Sequence, residues 1–403
     1  MALDLYERLR QLKEGAVPAA GNTVEKSDTG TRFSAVPVSL PPEGWESVAP
    51  FVFRRTLSLA PEDAAGAESL DSSVLLGNVL HSPVWEDIGF YDTETTGLSG
   101  GAGSHIFLFG VGFRSSGRFV IEQVLLGDYP AEPEFLKCVD SLLARFKLIV
   151  SYNGRAFDSH LLATRFLMNR LPFDKPGEVD LLYPARSMFR RVIGACSLSD
   201  IERDVLGVER QLDVPGALIP GLYFEYLRTG NSGALVPVFA HHAEDIFSLY
   251  RLLMRMEALL SGPAPDQEID PYGTARLLAR HGKEDSAVAL LEHGAADELP
   301  GNAARYLASL YRRRGMHDRC AEVWSRQYHT HHSVRAGIEL AKIYEHRLKD
   351  HRRALTLVSE LIELAHSTPW REDLGRRRER LLRRLERAEL SRRGGPDRSR
   401  TLH

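Results

Sequence analysis

Four carboxylates, far apart in the chain, constrain this sequence more than any other feature: Asp92 and Glu94 in FYDTETTG, Asp158 in SYNGRAFD, and Asp245 in HHAED. Asp92 and Glu94 end the apolar run IGFYD (88–92), which reads as a buried strand, and residues two apart on a strand face the same side. Asp158 follows the strand LIVSY (148–152) and stands near the start of a helix over 156–170, where a carboxylate gains from the helix N-terminus. Asp245 belongs to a long helix over 237–260, four residues after His241 and three after His242. Like charges held close repel, and each raises the other's pKa unless cations offset them. A fold that gathers these acids therefore calls for divalent ions. Carboxylates without cysteine or three-histidine clusters suit Mg2+ or Mn2+ better than zinc. Two such ions, about 3.5–4 Å apart, activate water on one side of a phosphate and stabilise the leaving oxygen on the other. A neutral histidine beside them is a suitable base; His241 is the first candidate and His242 the second.

Charge does not announce the partner. With 51 basic and 54 acidic side chains the formal net charge is -3, so any basic surface must be local. Cys138, Cys196 and Cys320 have no metal-ligand spacing, which fits a reducing compartment without disulfides. The start, MALDLYERLRQLKEG, is charged and amphipathic, and no apolar run approaches the ~20 residues of a membrane span. The expectation is a cytoplasmic protein without a membrane partner.

Segment order places the acids in an α/β domain. An N-terminal helix and linker occupy 1–45, and 46–85, with a strand at 51–59, extends the central domain of 86–260. There the strands 88–92, 106–114 and 119–127 follow one another, and helix and strand then alternate, which suits a mixed sheet flanked by helices. SLSDIERDVLG (197–207) has Ser197 as N-cap and stops at Gly207. After the linker 261–271, ARLLARHG, ASLYRRRG and AKIYEHRL recur at an offset of 33 residues, with Ala275, Ala308 and Ala341 in register and each block leading into a second apolar helix. Helical pairs at this period suggest a tetratricopeptide-like solenoid over 272–390. A last helix around 371–390 caps it, and 391–403 is a basic tail expected to be disordered.

The acidic set resembles the DEDD 3′–5′ exonuclease superfamily, whose fold is ribonuclease H-like. Asp92 and Glu94 match its first motif, Asp158 the second and Asp245 the third. DTETTGLSGGAGSHIFLFGVG and the helical-repeat tail are most similar to bacterial YprB-like ribonuclease H-like proteins. The resemblance covers residues 86–258. It implies a metal-dependent phosphodiesterase that hydrolyses single-stranded DNA or RNA from a free 3′ end, with the metals on Asp92, Glu94, Asp158 and Asp245. The histidine subgroup puts its base five residues before the last Asp, where this chain has Ala240; His241 stands at the tyrosine subgroup's position. Thr93, Thr96, Leu98, Asn153 and Arg155 would hold the terminal nucleotide, and Arg186, Arg190 and Arg191 are candidates for phosphates. The rival expectation is an adaptor or nucleic-acid-binding protein that recruits partners through its repeats. Residues 371–403, with 12 Arg against six Asp or Glu, could grip a nucleic-acid backbone, although helix capping accounts for most of that charge. Oligomeric state is not legible.

Overall fold

A computed structural model describes residues 44–59, 73–77, 79–80, 83–97, 103–210, 214–262, 268–293, 299–364 and 370–393. The expected N-terminal helix, the linker to residue 43, Leu98, most of GGAGS and residues 394–403 of the basic tail lie outside them.

Seven strands form one mixed sheet: β1 (Trp45–Ala49), β2 (Val52–Leu59), β3 (Ile88–Thr95), β4 (Ile106–Ser115), β5 (Arg118–Leu126), β6 (Leu148–Ser151) and β7 (Gly177–Asp180). Their spatial order is β1-β2-β5-β4-β3-β6-β7. The pairs from β1 to β3 are antiparallel, whereas β3–β6 and β6–β7 are parallel. The 51–59 strand thus joins β5, and β1, not expected from the sequence, covers it as the edge. β3 runs three residues beyond the apolar stretch, through Thr95.

Both faces of the sheet are covered, which is why its central strands read as near-continuous apolar runs. On one face Tyr91, Phe109, Val111 and Val124 pack with α1 (Glu132–Leu143), α2 (Asp158–Met168) and, after them, the helix of Ile219–Thr229. On the other, Phe90, Phe119 and Val150 meet α3 (Leu182–Ile193), α4 (Leu198–Ile201), and the 26-residue helix of Val236–Ser261. These last two long helices are α5 (Ile219–Thr229) and α6 (Val236–Ser261). α2 buries Leu161, Leu162 and Phe166 but leaves Leu167 exposed, as it does Phe157 just before it.

The rest is all-α: α7 (Pro271–Arg280), α8 (Glu284–His293), α9 (Gly301–Arg313), α10 (His317–His331), α11 (Val334–His346), α12 (His351–Leu364) and α13 (Arg371–Arg393). The in-register residues Ala275, Ala308, Ala341, Leu277, Leu310 and Ile343 are all buried, so the 33-residue offset marks the helix seams. Gly282 and Gly315 take the left-handed conformation after α7 and α9 (φ 74° and 72°). In the third block Leu348 stands in the glycine's place, and the left-handed residue is instead Lys349 (φ 58°). Trp324 of α10 is partly buried.

The helical region is seated on the α/β core. At Gly273 an added Cβ would lie 1.8 Å from the Ser187 carbonyl oxygen, so α7 lies against α3 with no room for a side chain. Asp270 donates its N–H to the Met188 carbonyl (2.7 Å), and its carboxylate lies 3.5 Å from Arg191 Nε. Arg191 thus reaches across this junction. At the far end Glu345, fully buried, accepts from Arg377 (2.5 Å) and Arg380 (2.8 Å), with Arg384 at 3.4 Å. Part of the arginine excess of the C-terminal segment is thus spent on capping. All three cysteines are free, and among the described residues no helix is long and apolar enough to cross a membrane.

Candidate active site

β3 leaves the sheet unevenly, and that creates the site. Its parallel neighbour β6 matches only Ile88–Phe90, while β4 stays paired as far as Thr95. Asp92 and Glu94 therefore stand where the chain of β6 has already turned away, outside the carboxyl end of a parallel pair, the usual crevice for ligands in α/β sheets. Both lie on the Phe90 face, which α6 covers.

α6 reaches that face because β4 has no side chain beneath it. Gly110 pairs with Asp92 on one side and with Gln123 on the other. A Cβ at Gly110 would stand 2.5 Å from His242 Cε1 and 2.5 Å from Ile246 Cδ1; at Gly112 it would stand 2.6 Å from Ile246 Cγ2. The His242 ring fills this space, fully buried and held at both nitrogens. Gln123 Nε2 donates to its Nδ1 (2.7 Å), and its Nε2–H donates to the Asp92 carbonyl (3.0 Å). Arg55 Nε donates to Gln123 Oε1 (2.5 Å), which fixes the amide's orientation. Burial lowers the His242 pKa to about 3, so the ring is neutral. With no free nitrogen and no exposure, His242 is a strut that seats α6 on β3, and the base candidacy falls to His241.

Asp158 is placed by a turn built with equal care. Asn153 is left-handed (φ 62°), and the Asp180 carboxylate accepts the backbone N–H groups of Asn153 (2.7 Å), Arg155 (3.3 Å) and Leu182 (3.0 Å). A Cβ on Gly154 would lie 2.6 Å from Ser151 Cβ and 3.0 Å from Tyr91 Oη, so this position must be glycine to sit on the sheet. The turn delivers Asp158 to Thr93, whose hydroxyl donates to its carboxylate.

The tightest group comes from strand and helix together. Donor atoms of Glu94, His241 and Asp245 all lie within 4.8 Å of one another, a set able to hold a metal ion. His241 Nε2 is 3.3 Å from Asp245 Oδ2 and 4.0 Å from Glu94 Oε1. Asp92 and Asp158 border this group and share its field. Burial first, then the charges of Asp245, Asp158 and Glu94, push the Asp92 carboxyl well above the ordinary range. Burial and the charges of Asp245 and Asp158 raise Glu94 to about 8, against a lowering pull from Arg210. Asp158 is raised to about 6 by burial, despite the Thr93 hydrogen bond. Burial and neighbouring charge thus raise the carboxyls of Asp92, Glu94 and Asp158, beside a Glu94–His241–Asp245 group able to hold a metal ion.

Arg210 escaped the sequence reading. Its guanidinium donates to Asp245 and to buried Glu202 (2.5 Å) and lies 2.8 Å from His241 Nδ1. It follows the Leu-Gly stop of 197–207, where α4 passes into a π-helical turn (Glu202–Leu206) and left-handed Gly207. No periodicity points to a residue in such an irregular segment. Gln123 and Asp180 were missed for a different reason, since a polar residue within a strand does not tell what it will face, whereas the two glycines inside β4 are a readable sign of close backbone approach.

The expected nucleotide contacts fare unevenly. The Thr93 hydroxyl is engaged with Asp158, and Thr96 closes its own loop by accepting the His105 N–H (2.9 Å). Arg155 donates to the Glu178 carbonyl (2.8 Å). Leu98 lies outside the described residues. Asn153 lines an open cleft of about 590 Å³ with Tyr152, Arg186 and Arg190.

Comparison with known proteins agrees with this geometry. Residues 89–257 match the family model described as RNase_H superfamily. YprB of Bacillus subtilis (strain 168) is 32% identical over 283 residues, 67% of this chain and 68% of that protein. A family B DNA polymerase from the hyperthermophilic archaeon Pyrobaculum calidifontis aligns at 15% identity over 66% of this chain and 34% of its own, with a TM-score of 0.35. The chain thus spans about a third of that polymerase, and a score so low has no weight here.

Proposed function

Since the chain belongs to the YprB-like family and carries an RNase H-like domain, we propose that it is a divalent-metal-dependent nuclease, a 3′–5′ exonuclease acting on single-stranded DNA or RNA. The observation that carries this is the convergence of Glu94, His241 and Asp245 beside the raised carboxyls of Asp92 and Asp158 at the open end of β3.

The donor set is oxygen-rich with one imidazole, which fits Mg2+ or Mn2+. Asp92, Glu94, Asp158 and Asp245 would hold two ions, and bound ions would supply an activated water and charge stabilisation at the leaving oxygen. The remaining work belongs to the chain. Thr93 holds the Asp158 carboxylate in one orientation, and His242 holds the end of β3 through the Asp92 carbonyl. His241, partly buried on that turn of α6 beside Glu94 and Asp245, is the group we assign to take the proton of the attacking water at one ring nitrogen. Asn153 and the Arg186–Arg190 edge of the neighbouring cleft would receive the strand.

One observation favours a second reading. Arg210 pairs with both Asp245 and Glu202, so the protein itself offsets part of the cluster's negative charge, which suits a non-catalytic adaptor. Labelled oligonucleotides separate the two. A nuclease shortens 5′-labelled single strands stepwise with Mn2+ or Mg2+, and loses this with chelator and in Asp92→Ala and Asp245→Ala. Pure, folded protein that binds the strands without turnover under any divalent ion would be the adaptor.

A further inference from the structure

Away from the β3 site, the helical region carries a groove of about 510 Å³ between α9, α10 and α11. Its charge is nearly all of one sign. Arg305 and Arg312 come from α9, two turns apart on one face; Arg335 and Arg347 come from the two ends of α11. All four side chains are exposed, and among the described residues none of the four guanidiniums makes a hydrogen bond or ion pair. Glu339, the acid lining the groove, is already paired with Lys342 at 2.7 Å. Partly buried Trp324 of α10 presents an aromatic surface in the same wall.

Several neighbouring arginines on these helices do find acids. Arg313 and Arg314, next in sequence to Arg312, pair with Glu284 and Asp285, and Arg377, Arg380 and Arg384 converge on Glu345. Four guanidiniums without an acid partner among the described residues line this one groove, which concentrates positive charge there. Their mutual repulsion is offset when an anion lies between them.

We infer that this groove binds the sugar–phosphate backbone of a single-stranded nucleic acid. Guanidinium forks match phosphate oxygens bidentately, and a positive groove with an aromatic wall is the sequence-tolerant way to hold a single strand. That the strand is the substrate's distal portion rests on the nuclease reading; the binding itself does not.

The test is equilibrium binding of a fluorescent 20-mer, as DNA and as RNA, to the full chain in EDTA between 50 and 200 mM KCl. Single-strand binding has a log–log salt slope of about −0.7 per phosphate contact, so four contacts contribute about −2.8, or roughly 50-fold in affinity over that range. Substituting Arg305→Gln, Arg312→Gln, Arg335→Gln and Arg347→Gln together should remove this share of the slope. The α9 pair alone and the α11 pair alone should each remove about half. These exposed positions should leave the melting temperature unchanged, and cleavage of a trinucleotide serves as the readout of the β3 site. A wild-type slope and affinity in the folded quadruple variant would overturn the inference. So would a glutamate-rich 20-residue peptide that displaces the oligonucleotide at a lower concentration than unlabelled oligonucleotide does, since the groove would then be a protein-docking site. If no divalent ion supports cleavage by any form, the nuclease reading fails while the salt slopes still decide the groove.

Discussion

Gly110→Ala tests whether α6 is seated on the sheet by the absence of one side chain. The added Cβ would stand 2.5 Å from His242 Cε1, where carbon atoms need about 3.5 Å, so ring and strand must part by about 1 Å. The ring cannot swing aside, because Gln123 and the Asp92 carbonyl hold both of its nitrogens. The helix must lift or the hydrogen bonds must break. Overpacking of this kind costs about 1–3 kcal/mol, which for a domain of this size lowers the melting temperature by roughly 2–12 °C. His241 and Asp245 ride on the same turn of α6, and an ångström of misplacement at a catalytic constellation costs on the order of 100-fold in rate. Differential scanning calorimetry and initial rates with Mn2+, taken well below the melting temperature, measure the two effects. His242→Ala removes the ring that the new methyl meets, so Gly110→Ala should cost markedly less stability in that background than alone, a coupling above about 0.5 kcal/mol. Additive costs, or a Gly110→Ala protein that melts and turns over like wild type, would show that α6 does not rest on β4 at this point.

Stability without metal should fall as pH rises. Glu94 moves from 4.5 to about 8 and Asp158 from 3.8 to about 6 on folding, so between those values the folded state holds more protons than the unfolded one. Stability from these groups is complete below pH ~4 and is lost progressively up to pH ~8; melting in EDTA across that range should show the decline, and Mn2+ should reverse it with proton release, whereas a flat profile would contradict the repelling cluster. His241→Ala should lower kcat at saturating Mn2+ by about 10²–10⁴ with the melting temperature little changed. His242→Ala should instead lower the melting temperature and weaken divalent binding, and the opposite pattern would reverse the two roles. Replacing Arg377 and Arg380 by Met leaves buried Glu345 with Arg384 and the His346 ring, a loss of about 2–3 kcal/mol, below the usual 3–5 for a broken buried pair because partners stay. Faster hydrogen exchange over α13 checks it, and unchanged exchange would mean the cap does not hold that helix.

Much of the fold is legible in periodicity. The buried runs of β3 to β6, the span of α6 to within a residue at each end, and the 33-residue offset all follow from which residues must leave water. The pairing of Asp92 with Glu94 on one face is a property of any strand. Edge elements were less visible: β1 is short and mostly exposed, and α2 leaves Phe157 and Leu167 outside although both are apolar. Amphipathic pattern says that a face is covered only when something else in the fold covers it.

The acids were readable from their local contexts, but their meeting was not. Nothing in a one-dimensional pattern brings Asp245 to Glu94; that depends on α6 lying over Gly110, on Gln123 and Asp92 flanking the same glycine, and on His242 bridging them. The same holds for Arg210, which reaches Asp245 from an irregular segment. By itself the sequence determined which residues carry charge and which strand and helix ends present them, because those follow from local geometry and burial. Only the tertiary structure decided which histidine is a buried strut and which faces the acids. Adjacent residues on a helix point about 100° apart, and what lies on each side is set by the sheet rather than by the helix.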